Sequence, residues 1–397
     1  MSEKRRDNKN RILRTGESQR KDGRYAYKYI DTFGNPQFVY AWKLVPTDKT
    51  PAGKREDISL REKEKEIQKD LDDGIDTIGK KMTVCQLYAK QIRHRGNVRY
   101  NTKNGRKRLM KLLEEDKLGG CPIDSVKLSD AKEWAIRMKE KGISYKTISN
   151  DKRSLKAAFY TAIQDDCIRK NPFDFQLNTV IEDDTEPKVP LTPAQEESFL
   201  SFAQNDKVYQ KYYDELIILL GTGLRISELC GLTDTDINFE NRIINVDHQL
   251  LRSAETGYYI ETPKTKSGIR QIPMSEKVYE AFNRVLKRRR GAKAVTIDGY
   301  SNFLFLNRDG YPKTATNYDG MFRGLAKKYN KYHEEALPKV MTPHTLRHTF
   351  CTNMANAGMN PKALQYIMGH SNITMTLNYY AHATFDSAKA EMLRIAA

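Results

Sequence analysis

The sequence predicts a multidomain, mainly α chain with small antiparallel β-sheets. Its 397 residues exceed what one small core organises, so two or three domains are expected. Apolar residues recur at helical spacing along most of the chain, while strict alternation is confined to short runs near 25–45 and 242–274. Lysine plus arginine number 68 against 51 acidic residues, and the net charge of +17 points to a polyanionic partner.

No run of about 18 apolar residues is present, so no helix is expected to span a bilayer. No strongly basic amphipathic helix with an aromatic face stands out either, so nucleic acid is the expected partner and membrane is not. The opening MSEKRRDNKNR is basic but has no apolar segment behind it, unlike a secretory signal. Cys85, Cys121, Cys167, Cys230 and Cys351 are scattered without a CxxC pair. They suggest neither a zinc nor a disulfide framework, and a reducing cytoplasm fits.

Residues 1–75 form the first module. A basic stretch that includes Arg20, Lys21, Arg24 and Lys28 runs into YAYKYID, with Tyr25, Tyr27 and Tyr29 on one face. After the turn at Gly34-Asn35-Pro36, QFVYAWKLV sets Phe38, Tyr40, Trp42 and Leu44 on one face. Ser59 and Glu62 form a possible capping box for a helix to about Asp72. A basic sheet plus helix can read a DNA groove.

Residues 76–81 read as a linker, and 82–180 as a helical module with four patterns. They are TVCQLYAKQIR, TKNGRKRLMKLLEED, a third opening at Ser129 as N-cap, and SYKTISNDKRSLKAAFYTAIQDDCI, ended by Asn171-Pro172. Lys103, Arg106, Lys107, Lys152 and Arg153 are its candidate DNA contacts. Solvated surface cations are the alternative for each.

Residues 181–190 are an acidic, turn-like linker, and 191–397 the third module, mixed α and β with a tail helix. Thr192-Pro193 opens a helix as N-cap and first residue. In DELIILLGTGLRISELCGL, Gly221 and Gly223 break a buried helix and Arg225 starts the next, facing a cleft or pairing with Glu228. RIINVDHQL, YYIETP and IRQIPM are expected to form one antiparallel sheet, the last two flanking a turn at Lys264 to Gly268. NFLFLN reads as a further strand between two helices. Thr342-Pro343 opens a helix with His344 and Arg347 on one face. PKALQYIM ends at Gly369, followed by His370, and Tyr379 lies nine residues on. His344 and His348 make H-x-x-x-H, but Thr345 stands where a metalloprotease needs glutamate, so no metal is expected.

TGLRISEL, KTKSGIR, TPHTLRHTF, MGHSNITMTLNYYAH and the NPF after the helical module together resemble the tyrosine recombinases, or phage-type integrases. The likeness covers the whole chain and is strongest to conjugative-transposon integrases. It implies an arm-type DNA-binding domain, a helical core-binding domain of the SAM-like kind and a catalytic domain. It implies Tyr379 as nucleophile, Arg225 and Arg347 on the scissile phosphate, His344 and His370 assisting, and Lys266 protonating the leaving 5′ oxygen. Lys264, two residues away, stays an alternative for that acid.

The implied activity is excision and integration of a mobile element through a 3′-phosphotyrosyl intermediate and a four-way junction. The implied partners are double-stranded DNA at core and arm sites, three further protomers and a small excision factor, in the bacterial cytoplasm at the nucleoid. A type IB topoisomerase and a DNA-binding regulator on an inactive scaffold are the rival readings.

The residue types suit this chemistry. A tyrosine hydroxyl, with a pKa of about 10, needs a proton acceptor or a cationic setting. Guanidinium forks match phosphate oxygens bidentately. Transfer to tyrosine conserves a phosphodiester, so no nucleotide or other cofactor is expected, in keeping with the absence of a GxxxxGK[ST] loop. FDSAKAEMLRIAA at 385–397 is expected to form a helix that docks on a neighbouring protomer.

Overall fold

The computed structural model describes residues 5–32, 34–76, 79–96, 98–186, 189–263, 265–289, 295–380 and 392. The chain divides into two compact units, Met1–Glu186 and Pro187–Ala397. The expected tail helix at 385–397 lies, Met392 apart, outside the described residues.

The first unit opens with strands β1 (Glu17–Gln19), β2 (Tyr25–Ile30) and β3 (Pro36–Ala41), antiparallel in that order. Helix α1 (Leu60–Asp72) follows. The Glu62 carboxylate accepts from the Ser59 amide at 2.9 Å and hydroxyl at 2.7 Å, closing the start of the helix. Tyr25 pairs with Ala41 and Tyr27 with Val39. Tyr25, Tyr27 and Ala41 bury against Leu13, Leu44 and Leu60. Phe38 and Tyr40 share a face, as expected, but that face is exposed. The period of two puts Val39 and Ala41 inward, so the larger aromatics of β3 turn to solvent.

The helical module has α2 (Val84–His94), α3 (Tyr100–Glu114), α4 (Leu128–Glu140) and α5 (Tyr145–Gln164). Trp134, Phe159 and Phe173 are its largest buried side chains, with Trp134 edge-on to Phe173 at 5.8 Å. Two expected boundaries move. The N-cap of α4 is Lys127 and not Ser129, because the Asp130 carboxylate accepts the Lys127 amide at 2.8 Å. Helix α5 stops at Gln164, before Asn171-Pro172: Asp166 takes a left-handed φ of 52° and the Cys167 amide donates back to Ala162 at 2.8 Å. Asp70, on α1, bonds Lys80 and, at 3.2 Å, Arg169, which ties that helix to the helical module.

The second unit contains α6 (Pro193–Asn205), α7 (Tyr213–Thr222) and α8 (Ile226–Gly231). Strands β4 (Ile237–Asn238), β5 (Ile243–Val246), β6 (Gln249–Ser253), β7 (Gly257–Glu261) and β8 (Arg270–Pro273) come next. Helices α9 (Glu276–Arg289), α10 (Ala315–Tyr332), α11 (Pro343–Asn356), α12 (Pro361–Met368) and α13 (Thr374–Leu377) complete it. The expected single sheet is two: β4-β5-β8, and a separate β6-β7 hairpin. RIINVDHQL bends at Asp247-His248, where the His248 ring bonds Asp247 and the Gly231 carbonyl, so its halves join different sheets. The turn after β7 therefore crosses between sheets. NFLFLN makes only isolated bridges, and Phe303, Leu304 and Phe305 are buried in succession. Gly221 does not break α7. A Cβ there would lie 2.4 Å from Val278 on α9, so the glycine permits close helix packing.

Candidate active site

Helix α7 ends at Gly223, whose left-handed φ of 62° turns the chain into Leu224 and Arg225. A Cβ at Gly223 would lie 2.5 Å from Phe350, so conformation and space both require glycine. Arg225 is the N-cap of α8. Its Nη1 donates to Glu228 Oε1 at 2.6 Å and its Nη2 to the Gly369 carbonyl at 3.0 Å. The ion pair foreseen at the surface thus ends on a buried carboxylate. Glu228 also accepts from Arg270, Nη2 to Oε2 at 2.8 Å and Nη1 to Oε1 at 3.2 Å. Burial by itself would raise the Glu228 carboxyl. The Arg270 hydrogen bonds and the charges of Arg270, Arg225 and Arg347 outweigh it and hold the group at about 2.

Arg270 is a hub that sequence reasoning missed. Its side chain is fully buried, and it also donates to the carbonyls of Ile367 at 2.6 Å and Gly268 at 3.0 Å. It joins β8, α8, the 266–268 turn and the end of α12. An arginine at an inward position of the alternating IRQIP run, in step with buried Ile272, was the available signal.

Arg347, on α11, donates to the carbonyls of Gly223 and Met368. Burial, reinforced by the Arg225 charge, lowers its guanidinium to about 9, still cationic at neutral pH. His370 follows Gly369, which has a φ of 60° and little room for a Cβ, since one would lie 3.0 Å from the Ser267 carbonyl. The His370 Nδ1 faces the Thr376 hydroxyl at 3.0 Å. Burial first, and then the three arginines, lowers His370 to about 4, so it is neutral at pH 7. His344 is the exposed residue of the first turn of α11, three residues before Arg347. Lys266 is exposed on the turn whose Ser267 carbonyl backs onto Gly369. Lys264 falls outside the described residues.

Tyr379 follows α13 and is half-buried. Its hydroxyl is 3.2 Å from His348 Nε2. Burial and Cys351, against the opposing pull of Arg347, raise its pKa to about 12. The neighbouring Tyr380 hydroxyl donates to the Met359 carbonyl at 2.5 Å. Arg225, Arg347 and His370 are thus linked through Gly369, Met368 and Glu228. His348 was noticed in the sequence only as half of a metal-like pair.

Among the described residues, Asp236, Asp247 and His248 form one cluster with ligand atoms within 4.8 Å of each other. Both ring nitrogens of His248 are engaged, by Asp247 at 2.5 Å and the Gly231 carbonyl at 2.8 Å. That occupancy leaves no ring nitrogen for an ion.

The candidate DNA contacts divide by environment. On the outer face of the first sheet, Arg20 and Arg24 lie over Tyr40 at 5.2 and 5.5 Å, Arg24 over Trp42 at 5.7 Å and Lys28 over Phe38 at 6.0 Å. Lys21 is exposed beside them. Lys103, Arg106 and Lys107 line a groove of about 510 Å³ with Ile92, Val98 and Met110. Arg153 is exposed, whereas Lys152 donates to the Phe175 carbonyl and covers that ring at 4.4 Å.

Residues 190–387 match the phage integrase family, and residues 1–71 match the DNA-binding domain of Tn916 integrase. The transposase from transposon Tn1545 of Streptococcus pneumoniae is 71% identical over 395 residues, spanning 100% of this chain and 97% of that one. The transposase from transposon Tn916 of Enterococcus faecalis is 70% identical over the same spans. The solved Tn1549 transposon integrase, in an R225K form with circular-intermediate DNA, is 78% identical. It covers 79% of this chain and 99% of its own, with a TM-score of 0.76. The chain therefore belongs to the phage integrase family, as a tyrosine recombinase of the conjugative-transposon type.

Proposed function

We propose that Tyr379 is the nucleophile of this transposon integrase, a site-specific recombinase that excises and integrates a mobile element. The observation that carries the assignment is the linkage of Arg225, Arg347 and His370 through Glu228 and the 367–369 backbone, beside a tyrosine whose neighbour Tyr380 is bonded elsewhere. Arg225 and Arg347 hold the scissile phosphate of double-stranded DNA. The Tyr379 oxygen attacks phosphorus and forms a 3′-phosphotyrosyl link, and the freed 5′ oxygen takes a proton from Lys266. A 5′ hydroxyl from the partner duplex then displaces tyrosine. Neutral His370 donates a hydrogen bond to a phosphate oxygen, and exposed His344 assists from the first turn of α11. The scheme needs no metal or nucleotide, because guanidinium groups stabilise the growing charge.

In this reading residues 1–75 grip arm sites through the sheet carrying Arg20, Lys21, Arg24 and Lys28. The helical module, 82–180, and the catalytic module, 191–397, grip the core site. DNA as substrate is supported by the related Tn1549 integrase, solved with circular-intermediate DNA and with transposon right-end DNA. Two duplexes exchanging strands require four protomers, and a small excision factor would set direction.

A nicked suicide duplex carrying a core site, incubated in chelator, should trap a gel-resistant covalent complex. The Tyr379→Phe variant should bind this DNA and form no adduct. An adduct from that variant would overturn the assignment.

A further inference from the structure

We propose that His348 is a catalytic residue, the group that accepts the phenolic proton of Tyr379 as the tyrosine oxygen attacks. The inference rests on Tyr379 being the nucleophile, and it names the partner that the reaction needs.

Three observations lead to it. First, the Tyr379 hydroxyl faces His348 Nε2 at 3.2 Å, with the rings 5.1 Å apart and tilted by 56°. That is hydrogen-bond reach for a base and the proton it removes. Second, of the two further imidazoles assigned to the site, His370 directs its Nδ1 to Thr376 and His344 is exposed on the first turn of α11. Third, helix geometry fixes the position of His348. It follows Arg347 on α11, half-buried, while Arg347 beside it is buried against Gly223 and Met368. One rigid helix therefore carries a phosphate-binding fork and the partner of the nucleophile on adjacent residues.

A base is required here. The half-buried Tyr379, with its pKa raised to about 12, is ionised in only one molecule in ~10⁵ at pH 7. Cys351 and Arg347, both on α11, are the ionisable groups that act on Tyr379, and His348 lies within the electrostatic reach of His370, which also feels Arg347, Arg225 and Arg270. Buried Cys351 is itself held up at about 12 and is not a competing base.

The step balances. The Tyr379 oxygen bonds to phosphorus as the bond from phosphorus to the 5′ oxygen breaks. The phenolic proton passes to His348 Nε2. The leaving oxygen takes a proton from the acid, Lys266 in the assignment above. In religation the 5′ hydroxyl gives its proton to that acid, and the departing tyrosine oxygen recovers its own from His348.

The test uses the full-length chain, a nicked core-site duplex and the same duplex with a 5′-bridging sulfur, whose thiolate leaves without an acid. His348→Gln keeps a hydrogen-bonding side chain that cannot take up a proton. It should bind DNA as wild type does and cleave on the order of 10²–10⁴-fold more slowly on both duplexes. Its rate should climb with pH where the wild-type rate has levelled, and imidazole should partly restore His348→Ala. If His348→Ala does not fold, His348→Gln and His348→Asn decide through rate and pH profile. A His348→Gln rate within about threefold of wild type would overturn the proposal. So would recovery on the sulfur duplex alone, which would place His348 on the leaving side. An adduct from Tyr379→Phe would instead overturn the nucleophile assignment, so the two failures are distinguishable.

Discussion

Replacing Glu228 with glutamine removes the carboxylate on which Arg225 and Arg270 converge. Its carboxyl is held at about 2, against an ordinary 4.5, in a buried site with little solvent to screen it. That depression corresponds to about 3 kcal/mol of folded-state stability. Breaking a buried pair from one side typically costs about 3–5 kcal/mol, which agrees. The sign follows from the folded value lying below the unfolded one. The contribution is complete above about pH 4.5 and lost as pH falls towards about 2. Glu228→Gln should therefore lower stability at neutral pH, and the gap to wild type should narrow under acid. Both tryptophans, Trp42 and Trp134, lie in the first unit, so their fluorescence does not report on this site. Urea-dependent labelling of buried Cys230 and Cys351, read peptide by peptide, does. With a slope of about 2 kcal/mol per molar, the midpoint should fall by about 1.5 M. A shift below about 0.3 M at neutral pH, or a gap that stays constant under acid, would refute the reasoning.

Tyr380→Phe should cost about 1 kcal/mol in urea titration, through loss of the bond to Met359, and should leave adduct formation intact. Gly369→Ala forces a left-handed residue and a Cβ into the Ser267 carbonyl, costing about 1–2 kcal/mol. It also displaces the carbonyl that orients Arg225, so suicide-substrate cleavage should fall on the order of 10²-fold. Arg24→Ala should weaken arm-site DNA binding and lower the salt slope by about 1, as measured by gel shift in graded salt. Lys152→Met should leave the core-site salt slope unchanged, because that ammonium is held by Phe175, whereas Arg153→Ala should lower it.

Local signals carried much of the fold. Capping residues marked the starts of α1, α6 and α11 because a side chain meets its own backbone within three residues. What failed was non-local. Which strand pairs with which depends on the bend at Asp247-His248, held by a carbonyl 17 residues away. Which side of β3 faces inward depends on where α1 packs, and that choice exposes Phe38 and Tyr40. In the site, the proposed roles of Arg225, Arg347, His370 and Tyr379 were read from motif spacing, and the structure links the first three through Glu228 and the 367–369 backbone. Arg270 and the buried side of Glu228 were not, since their meaning lies in each other, 42 residues apart. His348 was visible only as the wrong half of a metal pair. The role proposed for it depends on where the chain beyond α12 returns Tyr379.

The charges of the resting site favour the phosphate that the proposed assignment places there. Arg225, Arg270 and Arg347 face one carboxylate, Glu228, and a neutral His370, which leaves an excess of two positive charges largely out of water. Burial first, and then the neighbouring Arg225 and Arg270 charges, lower the pKa of Arg347. Under the proposed assignment a phosphodiester brings one negative charge, and the five-coordinate state on the way to phosphotyrosine carries nearly two. The fit is therefore better in the transition state than in the ground state, the condition for acceleration instead of mere binding. The same burial holds Tyr379 protonated. Without DNA, little phenolate forms to attack anything else. The two effects demand opposite things of the surroundings: cations strong enough to hold a dianion, and a tyrosine that keeps its proton until attack. An imidazole at the hydroxyl reconciles them, because it takes the proton only as the oxygen bonds to phosphorus, when the excess positive charge has found its counterpart.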